Sequence, residues 1–289
     1  EFSPAELAVV YIMAMLATSI PTIGFSEYLL PIIAGLYYYA SPENKWESIF
    51  HGDLPDWLAP SDPVAVRYFY EGLPEGRPVP WEAWSEPILY WCLLIVAVYW
   101  VSACVMVILR KQWMEREKLL YPLVQVPLEM IRDDEQRSRI KLGIQSTESL
   151  SRFANSCGPY LAHQAMGAMT VLIFAGLWMD RGHLRRVVHK AFGRDEVVDD
   201  SQEVISYRTA VWGLIGGLVF VGLWLWKSGL PLWIVPVFLF AVFVVFTTLT
   251  RAVVGAGVAV IRTPLTPADF VVSGLGTSAL GTSGVVSLG

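Results

Sequence analysis

The residue most able to do chemistry is Arg251, a cation inside an apolar stretch that runs from Pro231 to Arg262. No other charge occurs in that stretch before Arg262, which is eleven residues further on, roughly 16 Å along a helix. A hydrocarbon core is about 30 Å thick, so the pattern predicts Arg251 near its middle. A charge there costs at least about 2.5 kcal/mol, and it normally faces a partner, a cavity or a transport path. Arg251 could therefore bind an anionic group or pair with a carboxylate.

Three further polar residues fit a pathway for a solute or an ion. Glu27 lies between Pro21 and Pro31, which interrupt the first apolar segment, and carriers place ion and substrate sites at such breaks. It could carry a proton or hold a cation, although an ordinary interfacial glutamate is the alternative. Gln125 and Glu129 are four residues apart, so they share one face if the segment is helical. They could line a cavity, or they could form the polar edge of a surface helix.

The stretch from Gly274 to Gly284 is too rich in Gly, Ser and Thr for a plain helix. Within it, Gly276, Thr277 and Ser278 would expose backbone amides and hydroxyls to a pathway. Non-helical backbone at membrane depth occurs only where protein or a water-filled cavity covers it. The alternative is a plain terminal loop.

Small residues follow Arg251 at Gly255, Gly257 and Ala259. Small residues at such spacing let a second helix approach closely in a membrane, so they predict a helix-packing surface. The charged run from Glu115 to Lys118 is predicted to be a solvated face.

Composition defines the class of protein and excludes several functions. Hydrophobic residues make up 54% of the 289 positions and charged residues only 16%, which is typical of a membrane protein. The net charge of −5 argues against a nucleic-acid partner. The histidines and cysteines show no metal-ligand spacing, so neither a metal nor a cofactor is expected. No HExxH, nucleophile elbow or phosphate loop is present, so an enzyme is not expected.

The apolar segments predict an all-α, polytopic integral membrane bundle with broken or re-entrant helices. Prolines break the first segment and crowd the acidic, aromatic one that follows. The predicted N-terminal half has a broken span or re-entrant pair over 1–40, an extracytoplasmic loop over 41–87 and a span over 88–109. A basic cytoplasmic stretch follows over 110–155, containing a re-entrant or interfacial segment at 119–131, and then a span over 156–179. The remainder is a cytoplasmic loop over 180–208, a hairpin of two spans over 209–262, and a capping-box helix start at Thr266 with a Gly/Ser/Thr-rich loop over 263–289.

The distribution of charge conflicts with this number of spans. The positive-inside rule places both 110–155 and 180–208 in the cytoplasm, yet only one span, 156–179, lies between them. Either the neighbourhood of 119–131 supplies a further crossing, or a span is missing there, or one loop is assigned to the wrong side; we favour the first two. Both ends of the chain are expected to lie inside a longer protein.

Several sequence strings together carry a resemblance: FSPAELAVVYIMAML, PENKWESIFHGDLPDWL, YEGLPEGRPVPWEAW, MEREKLLYPLVQVPLEMI and LTPADFVVSGLGTSALG. The chain resembles an uncharacterised bacterial family of polytopic membrane proteins, a domain of unknown function grouped near the oligopeptide transporter superfamily. The resemblance implies a multi-spanning helical carrier with internal repeats and re-entrant hairpins. The chain departs from the family pattern after Ile131, where further spans would be expected.

These observations predict a secondary transporter-like protein, multi-pass in the bacterial cytoplasmic (inner) membrane. Its expected partners are the lipid bilayer and a small solute, anionic or peptide-like. Assembly into a homo-oligomer is an open alternative. The alternative is a non-transporting scaffold or a subunit of a larger membrane complex. A carrier requires Arg251, Glu27 and the Gly-rich loop to converge on one cavity.

Overall fold

The structure is a computed structural model that describes residues 6, 7, 9, 10, 13, 14, 28–49, 51, 52, 54–117, 159–193, 203–256, 266–276, 280, 281 and 284. Regular structure in these ranges is helical, with no strand, which confirms the predicted helical class. The helices are α1 Leu30–Tyr38, α2 Trp46–Ile49, α3 Pro63–Glu71, α4 Trp81–Lys111 with a π-helical turn Gln112–Arg116 after it, α5 Pro159–Met179, α6 Arg181–Ala191, α7 Tyr207–Lys227, α8 Val235–Ala256 and α9 Pro267–Leu275.

Three helical segments in the described part of the chain are long and apolar enough to cross a membrane. They are Trp81–Met114, Tyr207–Lys227 and Val235–Gly255. Large apolar side chains on their outer faces, such as Val96, are exposed, as expected of helices that face lipid rather than water. These segments indicate a membrane protein.

Helices α4 and α7 pack against each other along their length and run antiparallel. Tyr207, at the start of α7, is fully buried in a cluster with Val107 near the end of α4. At the opposite end, the ring of Trp224 lies 5.0 Å from the ring of Trp91. Helix α8 follows α7 after a short turn and therefore runs in the same direction as α4.

Basic residues collect where α4 ends, and we call this end of the helices, which carries Arg110 and Lys111, the basic end. Arg110 forms a two-pronged ion pair with Glu203, with Nε to Oε2 at 2.8 Å and Nη2 to Oε1 at 3.1 Å. Tyr207 donates to the same Glu203 Oε1 at 3.2 Å. These contacts fix the start of α7 beside the end of α4.

The opposite end carries a small folded unit, which we call the cap: α1, α2, α3 and their connections, residues 30–80. Its core contains buried Ile33, Ala65 and Val66, together with Trp84 from the first turn of α4. The hydroxyl of Tyr70 donates to the carbonyl of Pro31 at 2.7 Å and links α3 to α1. Helix α3 begins at Pro63, where a missing amide costs nothing, and ends at Gly72, whose positive φ of 96° suits glycine.

Helix α4 begins at Trp81, seven residues before the predicted start of this span at residue 88. Pro87 lies inside the helix and cannot donate the usual backbone hydrogen bond. Trp84 belongs to the core of the cap and Pro87 is buried one turn later. Burial of these two side chains offsets the missing bond, so the helix extends into the cap.

Helix α9 starts with the capping box that its sequence predicted. Thr266 Oγ1 accepts from the Asp269 amide at 3.1 Å, and Asp269 Oδ2 accepts from the Thr266 amide at 3.0 Å. Replacing Thr266 by alanine is expected to cost about 1 kcal/mol of local stability. The Asp269 amide should then exchange hydrogen about fivefold faster, whereas Thr266→Ser, which keeps the capping hydroxyl, should leave its rate nearly unchanged. Equal rates in both variants would contradict a stabilising cap.

Candidate functional site

Arg251 lies where α4, α5 and α8 meet at the basic end, and its partner is Glu117. Arg251 Nη2 is 2.7 Å from Glu117 Oε2. The two side chains are only 27% and 12% exposed. Glu117 Oε2 accepts no hydrogen bond of suitable geometry from the described residues. Its contact with Arg251 is therefore an ion pair without an aligned hydrogen bond. The prediction that Glu117 belongs to a solvated charge run is therefore wrong, because it is turned inward and paired.

A π-helical turn positions Glu117. In an α-helix, residues five positions apart differ in direction by about 140°. The Glu117 amide instead bonds to the Gln112 carbonyl at 3.0 Å, five residues back, which is the π pattern. The two side chains therefore lie on one face, and Gln112 Nε2 donates to Glu117 Oε1 at 2.9 Å. The extra residue in this turn aligns the carboxylate with Arg251.

Gln112 is the most buried polar group of this site, at 4% exposure. Its Nε2 also reaches the carbonyl oxygen of Gly176 on α5 at 3.3 Å. Its Oε1 is buried and has no partner among the described residues. A cavity of about 10 Å³ lies beside it, lined also by Thr247 and Ile173. That volume holds one water molecule, which could satisfy Gln112 Oε1.

Gly176 allows α5 to approach the guanidinium closely. A Cβ atom at this position would lie 3.0 Å from Arg251 Nη1 and 3.9 Å from Gln112 Nε2. Any larger side chain at position 176 would have to displace the arginine. The site therefore consists of a cation, a carboxylate and an amide enclosed by three helices.

The structure places Arg251 at the basic end, beside the end of α4. It lies sixteen residues after Val235, the first residue of α8. Its partner Glu117 lies beyond Arg110 and Lys111 at the end of α4. The long arginine side chain therefore reaches a carboxylate at the basic end. Its apolar stem can lie along the helices while its charged group stays out of the lipid.

Gly276 is the one other predicted pathway residue in the described part of the chain, and it lies at the end of α9 rather than beside Arg251. Gly276 ends α9 with a positive φ of 80°, a conformation that glycine adopts at little cost. Gly284 lies near Pro231 and Ile234, before the start of α8 and about 24 Å from Arg251 along that helix. Gly255 is in the last turn of α8. The predicted residues outside the described part of the chain are Glu27, Gln125, Glu129, Gly257, Ala259, Thr277 and Ser278.

A packing motif on α7 was missed although the sequence contains its signal. Gly213 and Gly217 have the GxxxG spacing of close helix pairs in membranes. A Cβ atom at Gly213 would lie 2.7 Å from Trp100 Nε1, and one at Gly217 would lie 2.5 Å from Val101 Cγ2. The α4–α7 contact therefore depends on these two glycines.

No cluster of three or more His, Cys, Asp or Glu side chains in the described ranges is placed to hold a metal ion. The chemistry that the site offers is charge pairing and hydrogen bonding. Gln112, Glu117 and Arg251 supply it.

Comparison with known proteins places the chain in a family. The profile of a family of unknown function, DUF6785, matches residues 1–144 and 139–289, which together span the chain. No curated protein and no solved structure matches. The resemblance to an uncharacterised family is thereby confirmed. Bacterial origin and a link to the oligopeptide transporter superfamily stay predictions.

Proposed function

This chain belongs to the DUF6785 family of unknown function, and from that premise we propose that it is a polytopic, transporter-like membrane protein that moves a small solute. The observation that carries the proposal is the Arg251–Glu117 ion pair between α8 and the end of α4. Desolvating two charges is costly, and apolar residues of similar size often stabilise a protein as well or better. A charge pair at this position suits a contact that forms and breaks. We assign it the role of an inner gate.

The distribution of charge supports an orientation for the gate. Exposed Arg181, Arg185 and Arg186 on α6 and Arg208 on α7 add to the positive charge of the basic end. By the positive-inside rule, the basic end faces the cytoplasm and the cap lies outside. In a bacterium this membrane would be the cytoplasmic (inner) one.

The direction of α5 supports the predicted additional crossing. Gly176, near the end of α5, approaches Arg251 at the basic end. Helix α6 follows α5 directly, and His183 Nε2 on α6 lies 3.3 Å from the Ile108 carbonyl near the end of α4. Helix α5 therefore runs towards the basic end, as α4 and α8 do. Two successive helices with one direction imply a crossing between them in the chain. That crossing would fall within 118–158, which is outside the described residues.

Solvent access to the cavity tests the gate. Thr247 is 5% exposed and lines the cavity, so Thr247→Cys in a chain without Cys92, Cys104 and Cys157 reports on it. Adding Glu117→Gln should raise the rate of labelling by a membrane-impermeant thiol reagent from the cytoplasmic side about tenfold. Such a change corresponds to about 1.4 kcal/mol of closing free energy.

The matched control is Thr250→Cys, which lies one turn further along α8 and does not line the cavity. Its labelling rate should not depend on Glu117. If Glu117→Gln lowers the melting temperature but leaves labelling of Thr247→Cys unchanged, the ion pair is structural and the gate is rejected.

A non-transporting scaffold or subunit is the second candidate, and one observation favours it. The cavity beside Arg251 has room for about one water molecule, and Gly284 of the predicted Gly-rich loop lies at the other end of α8. A scaffold would show no solute flux in liposomes, with or without Glu117→Gln. It would also form a stable complex with a soluble protein through the charged surface of α6.

A further inference from the structure

The cap contains a cleft of about 940 Å³ that is separate from the Arg251 site. It opens between α1, α2 and α3, at the end of the protein opposite the gate. The volume lies within the range of small-molecule sites, about 300–1,000 Å³. The side chains that matter for its chemistry are Tyr37, Tyr38, Glu47, His51, Arg67 and Glu71.

Aromatic rings with fixed positions form one wall of the cleft. The Tyr37 ring lies 4.3 Å from the His51 ring, and the Tyr38 ring stacks on Tyr70 at 4.2 Å. His51 Nε2 is 3.0 Å from the Leu36 carbonyl, which can only accept, so this nitrogen carries the proton. These contacts hold the rings in place before any ligand arrives, which lowers the entropic cost of binding.

The tyrosine hydroxyls in this wall stay neutral. Burial raises the pKa of Tyr37 above its usual value, and the nearby negative charge of Asp56 adds to the effect. Burial likewise raises the pKa of Tyr70. The wall therefore presents neutral aromatic rings at ordinary pH.

The rim of the cleft is negatively charged. Glu71 is shared by Arg67, at 3.4 Å, and by the Tyr38 hydroxyl, also at 3.4 Å. Glu47 is exposed and has no ion-pair partner among the residues that the structure describes. The surrounding stretch 41–87 contains nine acidic residues and three basic ones. This field attracts cations and repels anions.

We propose that the cap cleft binds an organic cation, an ammonium group attached to an apolar or aromatic body. The ammonium group would lie between the Glu47 carboxylate and the Tyr37 and Tyr38 rings, which attract a cation through their faces. The body of the ligand would fill the rest of the cleft. The inference does not depend on transport, because it concerns capture on the outer side only.

Binding of phenethylamine and of 2-phenylethanol to the full chain in detergent micelles tests the proposal by calorimetry. The two probes share one body and differ in charge. We expect the amine to bind at least about fivefold more tightly than the alcohol. The ammonium group gains one contact with a carboxylate and one with an aromatic ring, and the alcohol gains neither. High salt should reduce that preference.

Two pairs of variants locate the site. Glu47→Gln should remove most of the preference for the amine, whereas Glu82→Gln, outside the cleft, should keep it. Tyr38→Leu should weaken binding of the amine, and Tyr38→Phe should restore it because the ring remains. If neither probe binds the unaltered chain, if both bind equally, or if Glu47→Gln binds as the unaltered chain does, the proposal is wrong.

Discussion

Replacing Gly217 by alanine is expected to destabilise the protein by about 1–3 kcal/mol, because the new methyl group cannot be accommodated between α7 and α4. Its Cβ atom would lie 2.5 Å from Val101 Cγ2. Valine has a branched, stiff side chain in a helix and cannot move away by a small rotation. The helices must separate, and the loss should appear as a lower melting temperature in detergent.

Gly216 provides a matched control on the same helix. A Cβ atom there meets nothing within 4 Å. Gly216→Ala should therefore be neutral or stabilising by up to about 1 kcal/mol, since alanine favours the helix. The two substitutions are chemically identical, so their difference isolates the contact with α4.

A second substitution tests the cause directly. Val101→Ala removes the methyl group that a Cβ atom at position 217 would contact. The double variant Gly217→Ala with Val101→Ala should therefore lose less stability than the sum of the two single losses. Its melting temperature should lie close to that of Val101→Ala alone. Strict additivity of the two losses would mean that Gly217 acts through something other than its contact with Val101.

Removing the charge of Glu117 is the second large effect that we expect. Glu117→Gln keeps an oxygen that can accept from Gln112 but leaves Arg251 without its counter-charge in a mostly buried site. Breaking a fully buried pair costs about 3–5 kcal/mol. Because Arg251 is 27% exposed, water can screen part of its charge, and we expect about 1–3 kcal/mol.

A double-mutant cycle separates the pair from its surroundings. Arg251→Gln should cost a similar amount, and the double variant Glu117→Gln with Arg251→Gln should recover at least about 1 kcal/mol of the summed loss. Urea denaturation in micelles would measure the three values. The Arg110–Glu203 pair serves as a comparison at the same end, with Glu203 itself only 4% exposed. Independent, additive losses would show that Glu117 and Arg251 do not stabilise each other.

The two measurements together distinguish a gate from a structural pair. A gate predicts a moderate loss of stability and a large gain in cytoplasmic labelling of Thr247→Cys. A structural pair predicts the loss alone. The π-helical turn at Gln112–Arg116 favours the first outcome on physical grounds, because such turns cost regular helical bonds and occur often at functional positions.

The sequence by itself determined the features that short-range forces control. Long apolar segments predicted the helices that could cross a membrane, and the capping box at Thr266 and Asp269 predicted the start of α9. Proline density predicted that α2 and α3 would be short. Each depends on residues within a few positions of one another, through hydrophobic periodicity, capping or the fixed φ of proline. The GxxxG pattern at Gly213 and Gly217 was also readable, but which helix it contacts was not.

Only the tertiary structure decided which distant residues pair with each other. An arginine in an apolar segment requires a counter-charge, yet 26 acidic residues could have supplied it, and the π-helical turn selected Glu117. The link from Tyr70 to Pro31 spans 39 residues and holds the aromatic wall of the cap cleft together. Local patterns carry no information on such pairs, because they form only when distant segments pack and the free energy of that packing is shared over the whole fold.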